Sequence, residues 1–279
     1  MDDAATWNNK GVAYYNLGDY SKAIECYNIA LGIKPRYAVA WYNKGLAYAN
    51  MNKYNEAIEC FDKALEINPK DAPAWNNKGS LYAKMKKYNE AIECFDKALK
   101  INPNLDIAWN NKGNVYANMK KYNEAIECFD KALKINPRDA EALNNKGLAY
   151  YYLGDYSKAI EYYNIALGID PNLAVAWYSK GLAYAKMKKY NEAIECFDKA
   201  LEINPNLAGE WFGLIIRKGN AYVKINEAIK YYNIALAIDP RDAGAWFSKG
   251  NAYANMNRYD EAIECYHKAL EIDPNLAKA

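Results

Sequence analysis

A tryptophan that returns every 34 residues constrains this chain more than any other feature of its sequence. Leu143 stands in the one vacant slot, and the step lengthens to 35 residues only between the last two tryptophans. The tryptophans are Trp7, Trp41, Trp75, Trp109, Trp177, Trp211 and Trp246. A fixed period of this length is typical of repeat proteins, in which each unit packs mainly against its neighbours.

Three other residue types keep the same period. In nearly every unit a glycine follows the tryptophan slot by four residues and a tyrosine follows it by seven. A proline closes each unit: Pro35, Pro69, Pro103, Pro137, Pro171, Pro205, Pro240 and Pro274. The chain therefore contains eight units, which leave almost none of its 279 residues outside them.

Each unit has the pattern of two helices. Trp75, Gly79 and Tyr82 are spaced i, i+4 and i+7, so they share one face of a first helix. A polar turn at Lys86 and Lys87 precedes the second apolar stripe, which contains Ala91, Ile92, Phe95, Ala98 and Leu99. The proline of each unit then ends the second helix. Because a mid-helix glycine costs roughly 0.5 to 1 kcal/mol, its recurrence predicts a close approach of the two helices.

Together these positions resemble the tetratricopeptide repeat (TPR): Trp, Gly and Tyr at 0, +4 and +7, then Ala, Tyr or Phe, Ala and Pro at +16, +20, +23 and +28. The resemblance implies an all-α fold, an α-solenoid whose eight repeats form a right-handed superhelix in a single domain, 1–279. The repeats are expected at approximately 4–37, 38–71, 72–105, 106–139, 140–173, 174–207, 208–242 and 243–276. First helices would line a concave groove, and the protein would be a scaffold that binds proteins or peptides there.

Composition narrows the function classes. The 36 basic and 34 acidic residues give a net charge of +2, which predicts no general attraction to nucleic acid or to an anionic membrane. No apolar run approaches the ~20 residues of a membrane span, so we expect a soluble, cytoplasmic protein. His267 is the only histidine, and the sequence has neither GxGxxG nor a P-loop. We therefore predict no enzymatic activity, no metal and no cofactor.

Six cysteines occupy one slot on successive second helices: Cys26, Cys60, Cys94, Cys128, Cys196 and Cys265. Neighbouring helix layers lie ~8 to 10 Å apart, which exceeds the ~7 Å Cα limit for a disulfide. The pattern predicts small apolar side chains that stay reduced in a cytoplasm.

Asparagines recur on the face of the first helix that points away from the tryptophan. At 100° per residue, the positions two and nine residues after Trp lie near 200° and 180°. The first position holds Asn9, Asn43, Asn77, Asn111 and Asn145, and the second holds Asn16, Asn50, Lys84 and Asn118. Since an amide both donates and accepts hydrogen bonds, these residues predict a peptide-binding groove. The alternative is solvated asparagine copied by duplication.

A lysine precedes the glycine of every unit, where the TPR family usually has leucine. These are Lys10, Lys44, Lys78, Lys112, Lys146, Lys180, Lys218 and Lys249. Such a lysine lies at the margin of the buried stripe, where its stem can cover apolar surface while its ammonium reaches water. The alternative is a row of anion-reading lysines, which keeps single-stranded RNA binding as a less favoured hypothesis.

The seventh unit breaks the period. Its glycine and tyrosine come four residues late relative to Trp211, so the first helix is predicted to be one turn longer. Phe212 and Ile216 would then be neighbours on the groove face, with Phe247 nearby. This irregularity is either tolerated by the fold or forms an apolar patch for a partner.

The chain starts and stops at matching points of the repeat, which predicts an excised segment of a longer array or end-to-end stacking of molecules. In the second case Ile263, Tyr266 and Leu270 of the last unit would contact Trp7 of another copy. A head-to-tail contact of this kind can propagate into fibres. A self-assembling structural protein is therefore the alternative to a peptide-binding scaffold.

Overall fold

The computed structural model describes residues 3–187, 189–204, 228–229, 232–233, 236 and 239–275. Fourteen α-helices and no strand lie in these residues, so the predicted all-α class is confirmed. The helices are α1 (Ala4–Asn16), α2 (Tyr20–Ile33), α3 (Ala38–Asn50), α4 (Tyr54–Ile67), α5 (Ala72–Lys84), α6 (Tyr88–Ile101), α7 (Asp106–Asn118), α8 (Tyr122–Ile135), α9 (Ala140–Leu153), α10 (Tyr156–Ile169), α11 (Ala174–Lys186), α12 (Tyr190–Ile203), α13 (Ala243–Asn255) and α14 (Tyr259–Ile272).

The helices form two compact units, Met1–Gly154 and Asp155–Ala279. In the first unit α1 to α8 are four helix pairs, each pair packs on the next, and α9 packs on α8. In the second unit α10 packs on α11, α11 on α12 and α13 on α14. Stacked helix pairs are the architecture of an α-solenoid, as the sequence predicted. The expectation of a single domain over 1–279 stays a prediction.

The helix ends follow from local sequence. Asp71 caps α5, because its carboxylate accepts a hydrogen bond of 3.0 Å from the Ala74 amide. Each second helix whose end the structure describes stops at an isoleucine two residues before the proline. Asn102, which follows α6, is extended, with φ −130° and ψ 93°. The prediction that proline ends the second helix is confirmed. The proline carbonyl has a further role: Trp75 donates its indole N–H to the Pro69 oxygen at 3.1 Å, which ties the next repeat to this loop.

In repeats 1 to 4, 6 and 8, the glycine four residues after the tryptophan lies where the two helices cross. A Cβ on Gly79 would be 2.8 Å from Cε1 of Phe95 and 3.1 Å from the carbonyl oxygen of Ala91. The close approach predicted from the glycine is therefore present. The side chain at the crossing is Phe95 of the second helix, which is fully buried. Trp75 is half-buried and packs between repeats, against a cluster that contains Ala98 and Leu99.

All six cysteines are free and buried on the second helices. Burial raises the pKa of Cys60, Cys94 and Cys128 from 9.0 to about 11, against the smaller opposite effect of nearby lysine ammonium groups. These thiols are therefore neutral packing groups at physiological pH, as the sequence predicted.

Most of the seventh repeat lies outside the described residues. Phe212 and Ile216 of the predicted apolar patch lie outside them, so that patch stays a prediction. Phe247 is described and exposed, and its ring centroid lies 5.8 Å from that of Tyr266 in the same unit.

Candidate functional site

The first helices of repeats 1 to 4 share one exposed face, which contains a polar row and an apolar row. Nine residues after the tryptophan, the predicted groove residues Asn16, Asn50, Lys84 and Asn118 are all exposed. Two residues before the tryptophan, at about 160° on the same helix, Ala5, Val39, Pro73 and Ile107 are also exposed. Val39 and Ile107 each expose 52% of their surface. Sequence reasoning missed this apolar row, although the same angular calculation would have found it.

Along the axis of each first helix, the predicted asparagine ladder lies between these two rows, two residues after the tryptophan. It joins neighbouring first helices. In each case the side-chain amide of the ladder asparagine donates a hydrogen bond to the side chain of one residue in the preceding repeat. That acceptor residue directly follows the tryptophan of its repeat. The bonds are Asn43 to Asn8 Oδ1 at 3.0 Å, Asn77 to Tyr42 OH at 2.9 Å, Asn111 to Asn76 Oδ1 at 3.1 Å and Asn145 to Asn110 Oδ1 at 3.4 Å. These four asparagines are half-buried, whereas Asn9 is exposed.

Three of the four ladder acceptors, Asn8, Asn76 and Asn110, are buried asparagines that sequence reasoning did not select, and the fourth is the Tyr42 hydroxyl. Asn144 holds the same position in repeat 5. Asn8, Asn76, Asn110 and Asn144 expose only 4 to 6% of their surface. Buried amides need hydrogen-bond partners, so the ladder stabilises the seams between repeats. The last of these amides differs, because Asn144 Oδ1 is buried and has no partner within the described residues.

The ladder therefore has a structural role. The alternative hypothesis, that these asparagines are solvated residues copied by duplication, did not predict such a role. The ladder also fixes the orientation of each amide. Asn111 also donates to Ser80 Oγ at 3.3 Å, and the oxygen of Asn77 accepts a bond of 3.3 Å from Asn76. Since an amide oxygen has two lone pairs, each ladder oxygen keeps the capacity to accept a further hydrogen bond. The arrangement is a line of oriented amides between an apolar row and a polar row.

Among the described residues, the lysine before the glycine contacts an aspartate carboxylate in repeats 3, 4 and 5. Lys78 Nζ contacts the carboxylate of Asp62 on the preceding second helix, and it also lies 5.4 Å from the Trp75 ring centroid and 5.6 Å from that of Tyr82. Only 13% of the Lys78 side chain is exposed. The ammonium thus ends on a carboxylate, where the sequence predicted that it would reach water.

Two further repeats have the same pair. Lys112 Nζ lies 2.5 Å from Asp96, and Lys146 Nζ contacts Asp130. Burial lowers the pKa of Lys112, but the hydrogen bond and charge of Asp96 raise it more, so the net pKa is raised. Since these ammonium groups already have anionic partners, the anion-reading row is not favoured at these three repeats.

The predicted end-to-end residues belong to different compact units, Trp7 to the first and Ile263, Tyr266 and Leu270 to the second. Ile263 of α14 exposes 52% of its surface, whereas its equivalent Ile58 exposes 9% beneath the following repeat. Leu270 is exposed as well, and the Tyr266 hydroxyl donates a bond of 2.8 Å to Asn251 Oδ1. Trp7 is half-buried and packs against Ala4, Leu31 and Ala40 of its own unit.

Comparison with sequence families identifies the repeat. The tetratricopeptide repeat profile matches residues 4–37, 38–71, 72–105, 107–139, 140–173, 174–207 and 243–276. The chain belongs to the tetratricopeptide repeat family. Members of this family generally act as non-enzymatic protein-interaction scaffolds, and the fold agrees with that role. No curated protein sequence matched the chain.

Solved structures of similar fold include MamA and YrrB, each with sequence identity above 25%. MamA is 28% identical with a TM-score of 0.53, and the match covers 59% of this chain and 96% of that one. YrrB, described as a TPR protein with an unusual peptide-binding site, is 26% identical with a TM-score of 0.53, over 65% of this chain and 94% of that one. PilW, a type IV pilus biogenesis factor, is 22% identical with a TM-score of 0.69, over 76% and 98% of the two chains, and supports the fold alone.

The described residues have the features of neither a membrane span nor a metal site. None of the described helices has the length and apolar character needed to cross a bilayer. Nor does any group of three His, Cys, Asp or Glu side chains in these residues have the arrangement of a metal site.

Proposed function

We propose that this protein is a non-enzymatic scaffold that binds an extended segment of a partner protein along the first helices of repeats 1 to 5. The observation that carries the proposal is the line of oriented amides at Asn43, Asn77, Asn111 and Asn145. Amides of fixed orientation bind a peptide backbone without selecting its side chains, and they lose little conformational entropy on binding. The family relation and the likeness to YrrB support a peptide ligand.

The exposed rows beside the ladder supply side-chain contacts. Val39 and Ile107 offer apolar surface at one edge, while Asn50, Lys84 and Asn118 offer polar groups at the other. Five ladder positions at about 10 Å for each helix layer span roughly 40 Å, which corresponds to about a dozen extended residues at ~3.3 Å each. The groove residues proposed for binding are thus Asn9, Asn43, Asn77, Asn111 and Asn145 with the polar row.

Replacing Asn77 and Asn111 with Ala tests the ladder. A random dodecapeptide library displayed on phage is selected against the intact chain, and the affinity of a selected peptide is measured by fluorescence anisotropy. We expect the double variant to bind that peptide roughly tenfold more weakly, because each lost hydrogen bond is worth about 0.5 to 1.5 kcal/mol.

The matched control replaces Asn89 and Asn123 with Ala. These two asparagines are exposed on the second helices of the third and fourth repeats. This control is expected to leave peptide affinity unchanged. Circular dichroism checks that both variants keep their helices, since loss of Asn111 leaves buried Asn76 without its donor. Unchanged affinity in the ladder variant would contradict the proposal.

A second function is supported by the exposed apolar face of α14. We propose that Ile263, Tyr266 and Leu270 bind Trp7 and the first helix of another copy, so that molecules stack head to tail. The exposure of Ile263, whose equivalent Ile58 is covered by a following repeat, supports this contact. Such an interface joins two different surfaces and can therefore extend into a filament.

Sedimentation velocity over a concentration series tests stacking. We expect the wild-type chain to show species that grow with concentration, and the Ile263→Lys/Leu270→Lys variant to remain monomeric, because buried lysines at an apolar contact lack partners. Ile101→Lys/Ile135→Lys adds the same charge at exposed sites elsewhere and should still associate. A monomeric wild type at high concentration would exclude stacking.

The free thiols support one proposal about location. Six buried cysteines without a disulfide suit a reducing compartment, such as the cytoplasm.

A further inference from the structure

The turns between the two helices of repeats 3 and 4 carry unpaired positive charge. Lys86 and Lys87 form one turn, and Lys120 and Lys121 form the next. All four side chains are exposed, and none has a carboxylate within 4.0 Å among the described residues. Lys84, which belongs to the polar row of the proposed groove, is the last residue of α5, and its Nζ lies 5.8 Å from the Tyr54 ring centroid.

Two of these lysines have a backbone conformation that favours glycine. Lys86 has φ 60° and Lys120 has φ 61°, both in the left-handed region. In repeats 1 and 5 the same position holds Gly18 and Gly154, with φ 79° and 86°. A side chain in this region is strained, and glycine would satisfy the turn without strain. The fold therefore does not explain why these positions hold lysine.

Three tyrosine rings lie along the same edge, of which Tyr152 is exposed and Tyr122 and Tyr151 are half-buried. Tyr122, which follows Lys121, stacks on Tyr152 with ring centroids 5.2 Å apart and an interplanar angle of 10°. Tyr152 occupies the same repeat position as Lys84, and 58% of its surface is exposed. Tyr151 packs edge-on against Tyr152 at 5.5 Å. The edge thus offers both ammonium groups and an aromatic surface.

Acidic residues offset this charge only in part. Glu90 and Glu124 lie in the first turn of the second helices, where they favour the helix N-terminus. They are two carboxylates against five lysines at positions 84, 86, 87, 120 and 121. Since the whole chain has a net charge of only +2, the positive charge of this edge is local.

We propose that this edge selects an acidic segment of the partner polypeptide, whose carboxylates pair with the lysines of the two turns and whose apolar side chains cover Tyr122 and Tyr152. This inference rests on the proposed peptide-binding function and names the chemical class of its ligand. A polypeptide fits better than a nucleic acid, because the adjoining face offers oriented backbone-binding amides and the exposed apolar side chains of Val39 and Ile107.

Two labelled peptides and one oligonucleotide test the proposal by fluorescence anisotropy with the full chain. The first is a dodecapeptide that alternates Glu with Leu or Ala, the second has Gln in place of each Glu, and the third probe is oligo(U) of twelve nucleotides. We expect the acidic peptide to bind at least tenfold more tightly than the Gln peptide and than oligo(U). This preference should decline at high salt, because exposed ion pairs are screened.

The decisive variant is Lys86→Gly/Lys120→Gly. Glycine suits both backbone positions, so we expect the melting temperature to stay the same or rise while affinity for the acidic peptide falls at least fivefold. The control Lys100→Ala/Lys134→Ala removes the same charge from exposed sites at the other end of the second helices and should bind as the wild type does.

Three outcomes would overturn the acid preference: equal affinity for the Glu and Gln peptides, an equal loss in the control variant, or tighter binding of oligo(U). Failure of the acidic peptide to bind at all would also overturn it. The peptide-binding proposal is judged separately, because it depends on the Asn77→Ala/Asn111→Ala variant and on peptides selected without any charge requirement.

Discussion

Replacing Phe95 with Ala is expected to lower the free energy of unfolding by about 3 to 5 kcal/mol, among the largest effects of any single substitution in the chain. Phe95 is fully buried, and its ring fills the space that Gly79 leaves open at the helix crossing. The truncated side chain leaves a cavity that the two helices cannot close, since the backbone of Ala91 already lies only 3.1 Å from where a Cβ on Gly79 would be. Urea unfolding followed by circular dichroism measures the loss.

The control for this prediction is Phe95→Tyr. Buried tyrosines, Tyr27 and Tyr163, occupy the equivalent position in repeats 1 and 5, so the crossing accepts a hydroxyl there. We expect Phe95→Tyr to cost less than about 1.5 kcal/mol, as volume-conserving changes usually do. A loss as large as that of Phe95→Ala would show that the ring volume is not what stabilises the crossing.

Much of the fold could be predicted from the sequence because its signals are local and repeated. The spacing of Gly79 and Phe95 within one unit specifies a helix pair, and Asn102 before a proline marks its end. Each signal involves residues within one unit, and it recurs in unit after unit. The packing of the helix pair follows from such local spacing.

The hydrogen bonds between repeats could not be predicted in the same way. The angle of Asn77 on its own helix shows that it points away from the core, but it does not show which side chain of the preceding repeat lies opposite. The ladder bonds join residues 35 apart, such as Asn111 and Asn76. An Asn-Asn pair in successive units was the available signal, and its meaning depends on the distance between neighbouring first helices.

The ion pairs between lysine and aspartate could not be predicted for the same reason as the hydrogen bonds between repeats. Lys78 and Asp62 are 16 residues apart and meet only because a first helix packs on the second helix of the preceding repeat. In repeat 1 the position of Asp62 is taken by Asn28, so the pair is also not strictly repeated. Angular position alone placed Lys78 at the margin of the buried face without identifying its partner.

Alkaline pH is expected to destabilise the fold through its buried thiols. The pKa of Cys60, Cys94 and Cys128 is raised by burial from 9.0 in the unfolded chain to about 11 in the folded chain. Above pH 9 the unfolded state loses protons that the folded state retains, so unfolding becomes more favourable as pH rises. The contribution of each thiol is complete below pH 9 and is lost as pH rises through about 11.

By pH 10 each of these thiols should have lost about 1 kcal/mol of its contribution, so the three together reduce stability by about 3 to 4 kcal/mol. Urea unfolding at pH 8 and pH 10, with a reducing agent present, measures this loss. The Cys60→Ala/Cys94→Ala/Cys128→Ala variant has its own starting stability, but the decline between the two pH values should be much smaller. Burial also raises the pKa of Tyr27, to about 12, and that group acts mainly above pH 10. An equal decline in the wild type and the triple variant would therefore assign alkaline unfolding to groups other than these thiols.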